Sequence, residues 1–226
     1  MKSDRAVIIA GGGGGTRFGG RDKLFEMLRG IPVFLHSVRN FLSVCPSENI
    51  IISAPPEKIE NFRAALCKYL PGSEFTIVPG GGERMISVKN ALDAVPGNIR
   101  YIAIHDAARP LASAALLSEC FEKVALYGGA VAAKPVTDTI KKASPEQFVL
   151  ETLDRAGLWA METPQAFELT NFRKAYEKAL LSGKNFTDDA GIMEFAGEKV
   201  YLVRNLDVNI KITYASDIRT AESFLP

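Results

Sequence analysis

Ala6-Val7-Ile8-Ile9-Ala10-Gly11-Gly12-Gly13-Gly14-Gly15-Thr16-Arg17 lies near the start of the chain, with Lys23 close behind. An apolar, β-branched run ending in glycine predicts a buried first strand that passes into a loop. Glycines let the backbone approach a ligand closely, and concave arrays of backbone N–H groups bind anions. Arg17 and Lys23 add two positive charges at the same mouth, which points to a nucleotide triphosphate. A flexible linker would also be rich in glycine. The position directly after an N-terminal strand favours the phosphate loop. Two familiar signatures do not fit. The frame from Gly15 to Gly20 continues Arg21-Asp22, so a Walker lysine and hydroxyl are misplaced; each candidate third glycine of G-x-G-x-x-G falls on Thr16, Arg17 or Phe18.

Outward from this loop, strand-like and helix-like stretches alternate. Strands are predicted at 49–52, 75–78, 101–104 and 130–133, with helices at 57–69, 87–95 and 113–127 between them. Alternation with all-apolar strands predicts a parallel sheet covered by helices on both faces, an α/β, Rossmann-like three-layer sandwich. Ligands of such sheets bind at the carboxyl ends of the strands. The stretches rich in glycine, charge and hydroxyl, 11–23, 80–87 and 105–110, all lie there. The rhythm breaks from about 137 to 162. Thr139 to Lys142 and Phe148 to Leu153 predict two short strands, a hairpin-like arm projecting from a single domain that spans 1–226. Helices are expected again at 169–181, 188–195 and 215–224, with a strand at 200–203.

Composition narrows the class. Lys and Arg number 27 against 26 Asp and Glu, so no bulk charge favours nucleic acid or an anionic membrane. Cys45, Cys67 and Cys120 are widely spaced and odd in number, which fits a reducing cytoplasm rather than a disulfide framework or a zinc site. No apolar run approaches the ~18 residues that span a bilayer, and the first residues do not have the form of a signal peptide. A cytoplasmic protein with no membrane partner is expected.

His105-Asp106-Ala107-Ala108-Arg109-Pro110 follows the predicted strand at 101–104. An aspartate at a strand end facing a phosphate loop is placed to hold Mg²⁺, and arginine suits bidentate phosphate recognition. Asp106 capping the next helix, paired with Arg109, is the structural alternative. Gly80-Gly81-Gly82-Glu83-Arg84, with Ser87, forms a second glycine loop entering a helix. Thr187-Asp188-Asp189-Ala190 has the pattern of a helix N-cap and an acidic first turn. Asn209-Ile210-Lys211-Ile212-Thr213 alternates like a strand, with Lys211 opposite the isoleucines.

These segments, together with Asp138-Thr139-Ile140-Lys141, Asp154-Arg155, Leu158-Trp159 and Thr163-Pro164-Gln165, resemble one family over nearly the whole chain. It is the 2-C-methyl-D-erythritol 4-phosphate cytidylyltransferases of the non-mevalonate isoprenoid pathway, together with the similar ribitol 5-phosphate cytidylyltransferases. The resemblance implies a nucleotide-diphospho-sugar transferase fold and a reaction that transfers CMP from CTP to a sugar-alcohol phosphate, releasing pyrophosphate. A non-catalytic nucleotide-binding protein of the same fold is the alternative outside enzymology.

The resemblance also implies roles. Arg17 and Lys23 would stabilise the triphosphate and transition state. Gly11, Gly12, Gly13, Gly14, Gly15, Thr16, Gly80, Gly81, Arg84, Ser87, Asp106 and Ala107 would form the nucleotide site. Asp106 would help hold Mg²⁺ or another divalent cation. Arg109, Thr139, Arg155, Thr163, Thr187 and Lys211 would surround the acceptor, with Arg155 and Lys211 counted among the catalytic cations. Family members are homodimers whose arm embraces the partner, so Thr139 and Arg155 are expected to serve a neighbour's site. Relative to the family pattern, Gly11-Gly12 stand for a pair of alanines, Asp22-Lys23-Leu24 replaces Pro-Lys-Gln, and Glu162 stands where glutamine is common.

Overall fold

A computed structural model describes residues 3–12, 18 and 20–225. Gly13, Gly14, Gly15, Thr16 and Arg17 therefore lie outside the described residues. In chain order the elements are β1 (Arg5–Ala10), β2 (Met27–Leu28), β3 (Ile31–Pro32), α1 (Val33–Phe41), β4 (Ile50–Ala54), α2 (Ile59–Tyr69), β5 (Thr76–Pro79) and α3 (Arg84–Asp93). There follow β6 (Tyr101–Asp106), α4 (Ala114–Tyr127), β7 (Gly129–Pro135), β8 (Lys141–Ala143), β9 (Val149–Thr152) and β10 (Trp159–Glu168). The remainder is α5 (Leu169–Ser182), α6 (Asp189–Ala196), β11 (Tyr201–Arg204) and α7 (Ser216–Glu222).

Seven strands form one sheet in the order β11-β7-β10-β6-β1-β4-β5. All neighbours run parallel except β10, which is antiparallel to both β6 and β7. Strand β1 explains the layering by its alternation. Val7 and Ile9 enter a core with Phe34, Phe41, Phe62 and Phe121 from α1, α2 and α4. Ala6 and Ile8 enter the opposite core with Val88, Leu92, Phe172 and Tyr176 from α3 and α5. Both faces of the sheet are covered, as its uninterrupted apolar strands require.

The order β1, β4, β5 grows in one direction and β6 returns to the other side of β1. That reversal opens a crevice between the carboxyl ends of β1 and β6, where open α/β sheets bind ligands. Gly11, just past β1, packs closely on the β4 side of that strand. Its N–H donates to the Ser53 carbonyl at 2.8 Å, and a Cβ at this position would lie 2.7 Å from that same oxygen.

Two segments differ from expectation. Residues 159–168, the first four of which fall within the arm expected at about 137–162, form the antiparallel strand β10 in the middle of the sheet. Its core half, Glu162 to Phe167, carries Thr, Pro and Gln among its buried positions, so hydrophobic periodicity does not mark it. Residues 209–213 form no strand: the Ile212 N–H donates to the Ala108 carbonyl, and the Asn209 carbonyl accepts from Arg109. The predicted hairpin is present as the separate pair β8–β9, in which every residue is exposed.

Candidate active site

Asp106, the last residue of β6, stands between two cations. Lys211 Nζ lies 2.6 Å from one of its carboxylate oxygens and Arg84 Nε lies 3.5 Å from the other. Burial alone would raise the pKa of this group, but Lys211 and Arg84 outweigh it and hold the carboxyl well below the usual carboxylate range. Asp106 does not cap the following helix; Ser113 does, accepting from the Leu116 N–H. Lys211 is not a wholly solvated lysine, since its ammonium is fixed on Asp106.

Arg84, at the start of α3, reaches past Asp106 to the fully buried Asp189, with Nη2 to Oδ2 at 2.6 Å. Tyr176 donates its hydroxyl to the other Asp189 oxygen at 2.9 Å. Gln165 Oε1 accepts from the Asp189 and Ala190 N–H groups, and Gln165 Nε2 donates to Asp188. Asp188, rather than Thr187, is the N-cap of α6, accepting from the Gly191 N–H. Neither Tyr176 nor Asp189 was a sequence candidate; helix-cap chemistry alone accounts for an aspartate at that spacing.

Behind the aspartate lies a second polar chain. His105 is fully buried, and burial draws its ring down to about 4, so it is neutral at physiological pH. Its Nε2–H donates to the Arg109 carbonyl at 3.1 Å, leaving Nδ1 to accept from the Thr163 hydroxyl at 3.0 Å. Thr163 Oγ1 in turn accepts from the Asp106 N–H. Thr163, a candidate for acceptor binding, thus has its proton directed inward and holds the backbone at Asp106.

Asp106, Arg84 and Lys211 form a wall with a cavity on each side. The first, about 280 Å³, is lined by Gly12, Lys23, Gly81, Ser87 and Ala108 as well as the wall. The second, about 270 Å³, is lined by Arg109, Glu162, Thr163, Gln165 and Thr187 together with the same wall. On the first side, Lys23 Nζ donates to the Ile212 carbonyl at 2.9 Å. Ser87 Oγ accepts from the Gly81 N–H and donates to the Glu83 carbonyl, shaping the second glycine loop. Gly81 is tightly confined, since an added Cβ would lie 2.3 Å from Ile86.

Gly11, Gly80 and Ala107 support the first cavity without lining it: the Ala107 N–H donates to the Ala10 carbonyl and the Gly80 N–H to the Ala54 carbonyl. On the second side, Arg109 donates Nη1 to the Asn209 carbonyl at 2.6 Å. Thr139 and Arg155 line neither cavity; both are exposed, and Arg155 donates to the Thr137 carbonyl.

Among the described residues no three His, Cys, Asp or Glu side chains converge as a metal cage. The donor set offers one carboxylate, Asp106, in the wall between cavities. Mg²⁺ commonly takes only one or two protein carboxylates and completes its shell with substrate phosphates and water. The residues present fit a cation shared with a phosphate ligand, not one held by protein alone.

Residues 5–226 match the family described as IspD, 2-C-methyl-D-erythritol 4-phosphate cytidylyltransferase. The enzyme of that name from Caldanaerobacter subterraneus is 39% identical over 221 residues, covering 97% of each chain. Its counterpart from Symbiobacterium thermophilum is 41% identical, covering 97% of this chain and 92% of its own. Among solved structures, 4-diphosphocytidyl-2C-methyl-D-erythritol synthase from Anaerococcus prevotii superposes with a TM-score of 0.84 at 26% identity, over 97% of this chain and 95% of its own. With matches that run the length of the fold and an aspartate wall between two cavities, the chain belongs to the 2-C-methyl-D-erythritol 4-phosphate cytidylyltransferase family.

Proposed function

We propose that this chain is a CTP-dependent nucleotidyltransferase that moves CMP from CTP onto 2-C-methyl-D-erythritol 4-phosphate, in isoprenoid biosynthesis. The observation that carries the assignment within the site is the pair of cavities sharing Asp106, Arg84 and Lys211. One cavity opens on the glycine loops and suits a nucleotide, and the other is lined by Arg109 and hydroxyl-bearing residues and suits a polyol phosphate.

A phosphate oxygen of the acceptor attacks the α-phosphorus of CTP. A new P–O bond forms, the bond from the α-phosphorus to the bridging oxygen breaks, and pyrophosphate leaves with that electron pair. The attacking group is already an anion, so no covalent enzyme intermediate is needed. The protein's task is to align two anions and neutralise the charge that develops between them. Lys23 faces the triphosphate, and the resemblance gives Arg17 the same role; Lys211 stands at the junction where acceptor and α-phosphate meet. Arg109 and Thr187 hold the acceptor, and Thr163 fixes the Asp106 backbone from behind. Asp106 would hold a divalent cation, which when bound neutralises triphosphate oxygens.

The working unit is a homodimer in the cytoplasm. The exposed apolar side chains of the hairpin segment, Phe148 at 74%, Val149 at 64% and Leu150 at 61% exposure, favour burial against a second copy. In that assembly Thr139 and Arg155 reach the neighbour's acceptor cavity. No described helix is long and apolar enough to cross a membrane.

Pyrophosphate release from CTP and Mg²⁺, measured with each acceptor in turn, tests the assignment. Release with the erythritol phosphate is expected. Release only with ribitol 5-phosphate moves the acceptor assignment, and release with neither overturns the reaction.

A further inference from the structure

Residues 205–213 have no regular secondary structure, yet this strap touches nearly every charged group of the site. The Asn209 carbonyl accepts from Arg109, Lys211 reaches Asp106, and the Ile212 carbonyl accepts from Lys23. A segment without its own ladder must be positioned by other contacts. At its far end it is pinned by the Ile212 N–H on the Ala108 carbonyl and by the burial of Ile212 among Phe18, Leu28 and Val33. At its near end the Asn205 N–H donates to the Ala133 carbonyl at 2.8 Å, and one side chain ties Asn205 and Asn209 together. Glu162 Oε2 accepts from Asn205 Nδ2 at 2.7 Å and from Asn209 Nδ2 at 3.0 Å. The other carboxylate oxygen meets Lys134 Nζ at 3.1 Å.

A carboxylate 3% exposed beside a cavity suited to an anionic ligand is costly unless it does something there. Its oxygens are taken by the strap and by Lys134, and the Asn209 amide that it orients also donates to the Thr163 carbonyl at 2.9 Å.

The geometry points to Glu162 as the positioning residue of the active site: it anchors the strap that sets Arg109 and Lys211 against the acceptor. The requirement is an accepting oxygen placed between two asparagine amides, not a negative charge. A glutamine side chain supplies that oxygen, and the half-exposed Lys134 can then turn to water. This role rests on the proposed reaction only for its kinetic consequence.

The test compares Glu162→Leu and Glu162→Gln with the unsubstituted protein, by hydrogen exchange over residues 205–213 and by steady-state kinetics. E162L is expected to speed exchange in that segment at least tenfold while β1 and β6 keep their protection. It should also raise the KM for the acceptor at least tenfold and the KM for CTP less than threefold. E162Q is expected to stay within threefold of the unsubstituted protein in all three. Unchanged exchange in E162L, or an E162Q as impaired as E162L, overturns the anchor. If E162L fails to fold, Asn205→Ala, which removes one of the two donors, must produce the same local acceleration or the proposal falls. Exchange decides the anchor whether or not the protein turns over, so loss of the reaction and loss of the anchor are read separately.

Discussion

The carboxyl end of β6 and the hairpin β8–β9 are built on opposite terms. At β6 the functional side chains are enclosed and cross-tied: His105 to Thr163 and Arg109, Asp106 to Lys211 and Arg84, Arg84 onward to a buried aspartate. On the hairpin every strand residue is exposed, and Phe148, Val149 and Leu150 present apolar surface to solvent. The ties of the first region close within a single chain. The other has the composition of an interface, and among the described residues its apolar side chains stay exposed. Substitutions at the first should therefore harm chemistry or folding of the isolated chain. At the second they should harm association, and through it the acceptor cavity that the proposed dimer completes, while the fold of each chain stays intact.

The largest effect is expected for Lys23→Ala. Removing a cation aimed at developing charge costs about 10²–10³ in turnover, while the melting temperature stays close to that of the parent. Near-normal turnover would take Lys23 out of the chemistry. Asp189→Asn comes next. It leaves the Arg84 guanidinium without its 2.6 Å ionic partner, at a cost of about 1–3 kcal/mol in a denaturant titration. The KM for CTP should rise with it, because Arg84 belongs to the wall. Gly11→Ala would push a Cβ to 2.7 Å from a backbone oxygen, and overpacking of this kind costs about 1–3 kcal/mol. Leu150→Asp should change stability by less than about 0.5 kcal/mol, as exposed substitutions do. Sedimentation should nonetheless show a dimer becoming a monomer. A monomeric parent protein, or a dimer that survives this substitution, would remove the contrast between the two regions.

What was legible in the sequence follows the same division. The strands flanking the crevice, β1, β4 and β6, are continuous apolar runs because helices cover both faces, and they stand out by composition alone. The chemistry of β6 was legible because His105 to Pro110 is contiguous. Strand β10 was not, since its buried half mixes Pro164 with Glu162, Thr163 and Gln165, polar residues buried for the bonds they make. Residues 209–213 imitate a strand by alternation, but the strap's amides at Asn205 and Asn209 are held by Glu162, 43 and 47 residues away along the chain. No local pattern encodes such pairings. Arg84 was legible as a cation at a glycine loop; its tie to Asp189 was hidden because a helix N-terminus explains an acidic first turn by itself.

In the proposed reaction the Asp106 wall divides the cleft into a nucleotide side and an acceptor side. Steady-state kinetics with both substrates varied, on Ser87→Ala and Arg109→Met, test it most directly. Ser87 lines only the first cavity and Arg109 only the second. S87A is expected to raise the KM for CTP and R109M the KM for the acceptor, each leaving the other constant within about twofold. Both constants rising together in either variant would contradict it.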